Sequence, residues 1–148
     1  MIEYENLYDI SILLGVESAC WPGDPEYSRR LHASIAKGSL SDVSLLTMTA
    51  HTGTHIDAPG HFIPGGRKLD DYAAGDFILP ARVVEVDGEG AIMPEALAGV
   101  QIEPGEAVLF KTPNSTTGRI AAGEFFEDGV YVSAEAAGLC AERGARLV

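Results

Sequence analysis

Lysine and arginine are scarce in this sequence, which has 10 of them against 22 aspartate and glutamate residues and a formal net charge of −12 at pH 7. So acidic a chain repels the phosphate backbone of nucleic acids, and we expect no nucleic-acid partner. No apolar run approaches the about 18 residues of a membrane-spanning helix, so we expect no membrane partner either. An acidic surface favours solubility and tolerates a nearby divalent cation.

Cysteine is equally rare, because only Cys20 and Cys140 are present and they stand far apart. Their spacing matches neither a disulfide framework nor a metal motif, so we predict two reduced thiols; a structural disulfide or a catalytic cysteine is the alternative. The first residues are acidic and lack the basic segment and apolar core of a secretory signal. These features predict a cytoplasmic protein.

Apolar runs separated by turn residues predict one α/β domain over residues 1–148. We expect strands at residues 7–12, 27–36, 41–50, 81–88 and 107–112, of which the third is buried and the fifth is covered on both faces. Helical segments are expected at residues 69–74, 93–98 and 134–143, a turn at residues 20–25, and loops at residues 61–66 and 114–123. Residues 145–148 resemble the start of a further strand, so the chain is expected to be shortened within an element.

Three of the four histidines lie in one segment of eleven residues, which reads His-Thr-Gly-Thr-His-Ile-Asp-Ala-Pro-Gly-His at positions 51–61. Its glycines, threonines and proline disfavour a helix, and Gly53 lets the chain bend. His51, His55 and Asp57 can therefore converge. The remaining histidine, His32, is expected to be an ordinary strand residue at or near the surface.

Two imidazoles and a carboxylate are a familiar ligand set for a catalytic metal that keeps an open position. The set fits Zn²⁺ best, with Mn²⁺ or Fe²⁺ as alternatives. His61 lies close enough in sequence to serve as a fourth ligand or as an acid and base beside the metal. The segment thus predicts a metal-dependent reaction on a small-molecule substrate.

The segment His51-Thr52-Gly53-Thr54-His55-Ile56-Asp57-Ala58-Pro59-Gly60-His61-Phe62 resembles the HxGTHxDxPxHF signature of a cyclase family. That family contains the bacterial kynurenine formamidases (arylformamidases) and the isatin hydrolases. Three weaker segments are also similar to it in the same order: Trp-Pro-Gly-Asp-Pro at residues 21–25, the stretch at residues 108–115, and residues 131–148. The resemblance therefore runs from near residue 7 to the end of the sequence.

The resemblance implies roles for the matched residues. His51, His55 and Asp57 would hold one or two metal ions, Zn²⁺ or alternatively Mn²⁺, with Asp57 bridging a pair. His61 would be the catalytic histidine that shuttles protons, and Trp21 would help to wall the pocket of an aromatic substrate. It also implies a swivelling β/β/α fold, with a mixed sheet and flanking helices, assembled as a homodimer or homotetramer.

The activity that the resemblance implies is hydrolysis of an amide, formamide or lactam, first of all an N-formylkynurenine-like arylformamide of tryptophan catabolism. A serine mechanism of the α/β-hydrolase type is excluded, because the sequence has no Gly-x-Ser-x-Gly segment. The alternatives are a truncated, non-catalytic metal-binding relative and a cyclase that acts on another carboxylic substrate.

The sequence departs from the family in length. Family members continue beyond the position that matches Val148 and carry there a His and a Glu that complete the metal site. Three explanations remain open: this chain is a fragment, the natural product is truncated, or a neighbouring subunit supplies the missing ligands.

Overall fold

The computed structural model describes residues 6–148 and shows a mixed α/β protein, as predicted, whose internal contacts divide it into two units. The first unit holds the described residues up to His55 together with Ile120–Phe125. The second unit holds Ile56–Arg119 and Phe126–Val148. Within residues 6–148, no helix combines the length and the apolar character needed to cross a membrane.

The first unit is built around a hairpin of β1, Ser28–Ala33, and β2, Val43–Thr47, which pair antiparallel. Between them lies the short 3-10 helix Ile35–Lys37, which ends at Gly38. Gly38 has a φ of 87°, a backbone conformation that would be strained for a residue with a side chain. Both strands were predicted, and His32 lies exposed on β1 as expected. The predicted burial of the second strand is wrong, because β2 pairs only with β1 in the part of the chain described and all its residues are exposed.

The strand predicted at residues 7–12 is also wrong, because these residues form no strand. Their alternation of apolar and polar residues finds no partner strand, and Leu7, Tyr8 and Ile10 remain 81%, 77% and 78% exposed. The carboxylate of Asp9 instead accepts a hydrogen bond from the backbone N–H of Ser11 at 2.9 Å. Such local side-chain contacts compete with strand pairing.

The second unit contains two parallel strand pairs. β3, Ala81–Glu85, pairs with β5, Ala107–Lys111, and β4, Ala91–Ile92, pairs with β6, Tyr131–Val132. The strands predicted at residues 81–88 and 107–112 are therefore confirmed, as are helical turns at Leu69–Asp71 and Pro94–Leu97. Parallel and antiparallel pairing both occur, but in separate two-stranded sheets.

The helix predicted at residues 134–143 is present as α2, Ala134–Glu142. It begins where predicted, because the Ser133 hydroxyl accepts a hydrogen bond from the N–H of Ala136 at 3.0 Å. It ends before Gly144, which has a φ of +90°. Residues 145–148 then run beside β5 through a parallel bridge between Leu147 and Ala107, in agreement with the predicted strand start.

The core of the second unit lies between the β3–β5 pair and α2. Its buried members are Val84, Leu97, Ile102, Val108, Ala136 and Cys140. Arg143 ties the end of α2 to this core, because its Nη1 donates hydrogen bonds to the carbonyl oxygens of Leu97 and Val100 at 2.9 and 3.0 Å. Burial raises the pKa of the Cys140 thiol, and both cysteines are free, as predicted.

The loop predicted at residues 114–123 contains two short helices instead, α1 at Pro113–Thr116 and a 3-10 helix at Ile120–Ala122. Pro113 suits the first position of a helix, where no N–H is needed. The side-chain amide of Asn114 forms two hydrogen bonds with the backbone of Val130. It donates to the carbonyl of Val130 at 2.7 Å and accepts from its N–H at 2.8 Å. A side chain thus pairs with Val130 as a strand would.

Glu106, just before β5, gives the stability of the second unit a dependence on pH. Its carboxylate accepts hydrogen bonds from the N–H of Glu103 and from the guanidinium of Arg82, and its side chain is 13% exposed. The backbone bond from Glu103, followed by Arg82, lowers the pKa of Glu106 below the ordinary 4.5. A lowered folded-state pKa means that the ionised carboxylate stabilises the fold above pH 4.5, and that this contribution is lost as the pH falls through the folded-state pKa.

We therefore expect Glu106→Gln to unfold at lower urea concentration than the wild type at pH 7, and the difference to shrink as the pH falls below 4.5. Urea denaturation at pH 7, 5 and 3 measures it. Glu89→Gln, at an exposed glutamate, is the control. A deficit of equal size at all three pH values would show that the carboxylate charge is irrelevant.

Candidate metal centre

A tight turn after β2 positions the first two histidines of the motif. The N–H of Thr52 donates to the carbonyl of Thr49 at 3.2 Å, and the buried Thr52 hydroxyl accepts from the N–H of Thr49. Gly53 follows with a φ of +84°, and a Cβ there would lie 2.5 Å from a methyl of Leu14. Only glycine fits this position without strain, and it turns the chain between His51 and His55.

The hydrogen bonds of His55 fix its tautomer. Its Nδ1 lies 2.8 Å from the carbonyl oxygen of Gly53, which can only accept, so Nδ1 carries the proton. In this tautomer the Nε2 atom has the lone pair, and it lies 3.1 Å from Nδ1 of His51. The two imidazole rings meet edge to face, with centroids 5.1 Å apart.

This geometry fits two ligands of one metal ion. With bonds of about 2.0–2.1 Å to zinc, two nitrogens of a tetrahedral site stand roughly 3.3 Å apart, close to the separation seen here. Metal-binding histidines also tend to donate their other N–H to a carbonyl or carboxylate, as His55 does toward Gly53. The donor pair therefore suits a divalent metal ion.

The second half of the motif ends in the short 3-10 helix Pro59–His61. Its N-terminal residue is a proline, and the N–H of His61 donates to the carbonyl of Ala58 at 2.9 Å. Gly60 packs so closely that a Cβ would lie 2.9 Å from the carbonyl oxygen of Gly66. The predicted loop is confirmed for residues 62–66, whereas His61 ends the 3-10 helix. The exposed His61 ring contacts the ring of Phe62 edge to face, with centroids 4.2 Å apart.

Along this continuous segment His51, Asp57 and His61 each offer one ligand atom, and the three atoms lie within 4.8 Å of one another. His51 is half-buried, whereas Asp57 and His61 are exposed. Imidazole nitrogen and carboxylate oxygen are the donors that Zn²⁺ and Mn²⁺ accept. The division of roles into three ligands, His51, His55 and Asp57, and one proton shuttle, His61, stays a prediction.

A cavity of about 370 Å³ opens beside Asp57 within the second unit. This volume lies in the range of small-molecule sites. Its wall includes Arg67, whose guanidinium stacks over the ring of Tyr72 at 3.8 Å, and Arg146, which pairs with Asp76. Sequence reasoning missed these residues, because neither arginine belongs to a motif and Arg146 lies far from Asp57 along the chain.

Trp21, the predicted wall of an aromatic pocket, lies in the first unit. It lies in the predicted turn at residues 20–25, in which the N–H of Asp24 donates to the carbonyl of Trp21 at 3.0 Å. Its indole contacts the ring of Phe125 edge to face, with centroids 5.0 Å apart, and is otherwise open to solvent. Phe125 carried no signal in the sequence, because the contact joins distant segments.

Comparisons with known proteins agree with this picture. A family model described as "Putative cyclase" matches residues 8–148. The kynurenine formamidases of Bacillus cereus and Bacillus mycoides are each 36% identical over 140 residues, which is 95% of this chain. This chain spans 65% of the length of these curated relatives.

Two solved structures share the fold. One, described as a potential metal-dependent hydrolase with cyclase activity, is 27% identical, with a TM-score of 0.72 over 93% of this chain and 63% of that one. The other, a predicted metal-dependent hydrolase from Bacillus stearothermophilus, is 26% identical, with a TM-score of 0.71 over 93% of this chain and 64% of that one. The mixed α/β fold is thus shared with two proteins that are described as metal-dependent hydrolases.

Proposed function

Because this chain belongs to the cyclase family, we propose that it hydrolyses an aromatic formamide with the help of a divalent metal ion. The observation that carries the proposal is the pair of imidazole nitrogens of His51 and His55, 3.1 Å apart beside Asp57 and His61 in one short segment. The relatives named kynurenine formamidase indicate the substrate class, an arylformamide like N-formylkynurenine.

We propose Zn²⁺ as the metal, as one or two ions, with Mn²⁺ as the alternative. The His55 Nε2, the His51 Nδ1 and the Asp57 carboxylate would hold it, because their donor types match its preferences. When bound, the metal supplies Lewis-acid polarisation of the formyl carbonyl and makes water more acidic. The His55–Gly53 hydrogen bond keeps the lone pair of His55 directed at the site.

His61 would move the protons. Hydrolysis adds a water oxygen to the formyl carbon and breaks its C–N bond, releasing formate and an aromatic amine. A ring nitrogen of His61 takes a proton from the attacking water and returns it to the departing nitrogen, a double task that imidazole performs near neutral pH. Its exposed ring, held against Phe62, is accessible to substrate.

The experiment is hydrolysis of N-formylkynurenine, followed by absorbance and by release of formate, with purified protein loaded with Zn²⁺ or Mn²⁺. We expect turnover with metal and none after chelation, with recovery when metal is restored. Isatin, a lactam, tests the wider substrate class. A metal-loaded protein that turns over neither N-formylkynurenine, other arylformamides nor isatin would disprove the proposal.

The second candidate is a non-catalytic metal-binding relative, which needs only the donor atoms of the histidine motif and no proton shuttle. Stoichiometric Zn²⁺ binding without turnover of any substrate in that assay would support it. A cyclase acting on another carboxylic substrate stays the third alternative.

The predicted homodimer or homotetramer and the predicted cytoplasmic location belong to the same proposal. Half-exposed leucines along the hairpin, Leu31 on β1 and Leu45 and Leu46 on β2, favour assembly, because exposed apolar patches often mark protein interfaces. Light scattering during size-exclusion chromatography measures the assembly, and a monomer at micromolar concentration contradicts it.

A further inference from the structure

The cavity beside Asp57 lies within the second unit, and most residues in its wall are apolar. Four charged side chains also line it: Asp57, Arg67, Asp76 and Arg146. The charge of Asp76 is balanced by Arg146, with which it forms an ion pair, and the charge of Asp57 would be balanced by the proposed metal. Among the residues that line the cavity, Arg67 is therefore the charged group without an assigned task.

Two neighbouring groups hold the side chain of Arg67, and both are uncharged. Its Cζ atom lies 3.8 Å from the centroid of the Tyr72 ring, and its Nη2 donates a hydrogen bond to the backbone carbonyl of Asp71. The carboxylate of Asp71 instead accepts a hydrogen bond from the backbone N–H of Lys68 at 2.8 Å. A guanidinium has five N–H donors in a planar fork that matches a carboxylate. The carbonyl of Asp71 takes one of them, so the fork can still bind an anionic ligand.

The backbone of Arg67 is tied to the second half of the metal motif. The N–H of Gly60 donates to the carbonyl oxygen of Arg67 at 2.8 Å, and Gly60 belongs to the 3-10 helix that ends at His61. A Cβ at Gly60 would lie 3.0 Å from that same oxygen, so the two segments are in close contact. Arg67 is therefore fixed beside the residue before His61, and its side chain lines the same cavity as Asp57.

We propose that Arg67 binds a carboxylate of the substrate in this cavity, and so gives preference to arylformamides that carry a carboxylate over neutral ones. The inference rests on the proposed function for the arylformamide, and N-formylkynurenine carries such a group. A chain with a net charge of −12 repels anions, so a cation held in the cavity is needed to bind one. The apolar walls exclude part of the water, which strengthens an ion pair above its value on an open surface.

The experiment compares two ligands that differ in one group, β-(ortho-aminobenzoyl)propionate and its carboxamide. Neither contains a formamide, so calorimetry on the full chain, with and without Zn²⁺, measures binding apart from hydrolysis. Their N-formyl derivatives then serve as substrates, and release of formate is the readout. The variants are Arg67→Gln, Arg67→Lys to restore the charge, and Lys68→Gln as the matched control. Lys68 is the neighbouring exposed cation, and it does not line the cavity.

We expect the wild type to bind the propionate more tightly than the carboxamide, with or without Zn²⁺. Arg67→Gln should weaken propionate binding roughly 5–20-fold and leave carboxamide binding within about twofold. Arg67→Lys should recover part of the affinity, because it keeps the charge and loses the fork, and Lys68→Gln should match the wild type. Added salt should reduce the preference of the wild type for the propionate, which tests the ion pair even if Arg67→Gln does not fold.

A preference for the propionate that persists in Arg67→Gln, or that added salt leaves unchanged, would overturn the inference. If that preference requires Zn²⁺, the carboxylate binds the metal instead, and if it is lost in Arg146→Gln, Arg146 binds it. Failure of this inference is separable from failure of the proposed function. Propionate binding that depends on Arg67, without hydrolysis of the N-formyl derivative, supports the carboxylate site and contradicts the function. Hydrolysis of both N-formyl derivatives with equal kcat/KM in the wild type supports the function and contradicts the site.

Discussion

His61→Ala is expected to lower kcat for formamide hydrolysis by about 10²–10⁴-fold while the protein keeps its metal, because the proposal makes His61 a proton shuttle and not a ligand. His55→Ala is expected to lose metal instead. Its Nε2 lies 3.1 Å from Nδ1 of His51, where both nitrogens can bind one metal ion. Loss of a group that only hydrogen-bonds to a metal ligand lowers metal affinity about 10–100-fold, and loss of the ligand itself should lower it further. Metal content by elemental analysis, Zn²⁺ titration by calorimetry and steady-state kinetics separate the two roles.

His32→Ala is the matched control, because His32 is an exposed histidine on β1 outside the motif. It should retain both metal and activity. One ligand atom from each of His51, Asp57 and His61 lies within 4.8 Å of the others, so His61 is also placed where a ligand could be. The opposite result would therefore be informative. If His61→Ala loses the metal and His55→Ala keeps it, then His61 is a ligand and the predicted roles are exchanged.

Leu97→Ala is expected to destabilise the fold by about 2–5 kcal/mol, the usual cost of removing a leucine from a packed core. Leu97 is fully buried in the 3-10 helix Pro94–Leu97, among Val84, Val108 and Cys140. The truncation removes apolar contacts and leaves a cavity that α2 and β5 cannot close without moving. Urea denaturation at pH 7 gives the change in the free energy of unfolding.

Leu40→Ala makes the same chemical change at a side chain that is fully exposed, between β1 and β2. It should alter the free energy of unfolding by less than about 0.5 kcal/mol. Similar losses at Leu97 and Leu40 would contradict the placement of the core. An Arg143→Ala variant would show how much of that core depends on the hydrogen bonds to Leu97 and Val100.

Local signals in the sequence predicted most elements of the fold. An apolar run predicted β5 at residues 107–112, and the capping residues Ser133 and Gly144 predicted the two ends of α2. Both signals depend on residues that are close in sequence, and both elements are present. Burial could not be predicted in the same way. The alternation at residues 7–12 and the apolar run at residues 41–50 indicate that one face of a strand could be buried. They do not indicate whether another part of the chain packs against that face.

The candidate site shows the same division. The histidine motif was visible because its members lie within eleven residues and carry chemistry that packing does not require. Two other contacts could not be predicted from the sequence: the ring contact of Phe125 with Trp21 and the hydrogen bonds between Asn114 and Val130. Each joins residues that only the folded chain brings together. Gly53 is an intermediate case. The sequence predicted that the chain bends there, but only the structure shows that Leu14 leaves no room for a side chain at this position.

The pairing of β1 with β2 has a consequence for the order in which the protein assembles. Ala33 stands opposite Val43, so a short loop closes this hairpin, and hairpins form in about 1–10 μs. The parallel pairs must bring Ala91 to Tyr131 and Ala107 to Leu147, and the longer loops make these contacts slower to form. A ribosome that adds about 5–20 residues per second releases the hairpin long before β6 exists. The turn that leads from β2 to His51 and His55 therefore follows a strand pair that can form on the nascent chain.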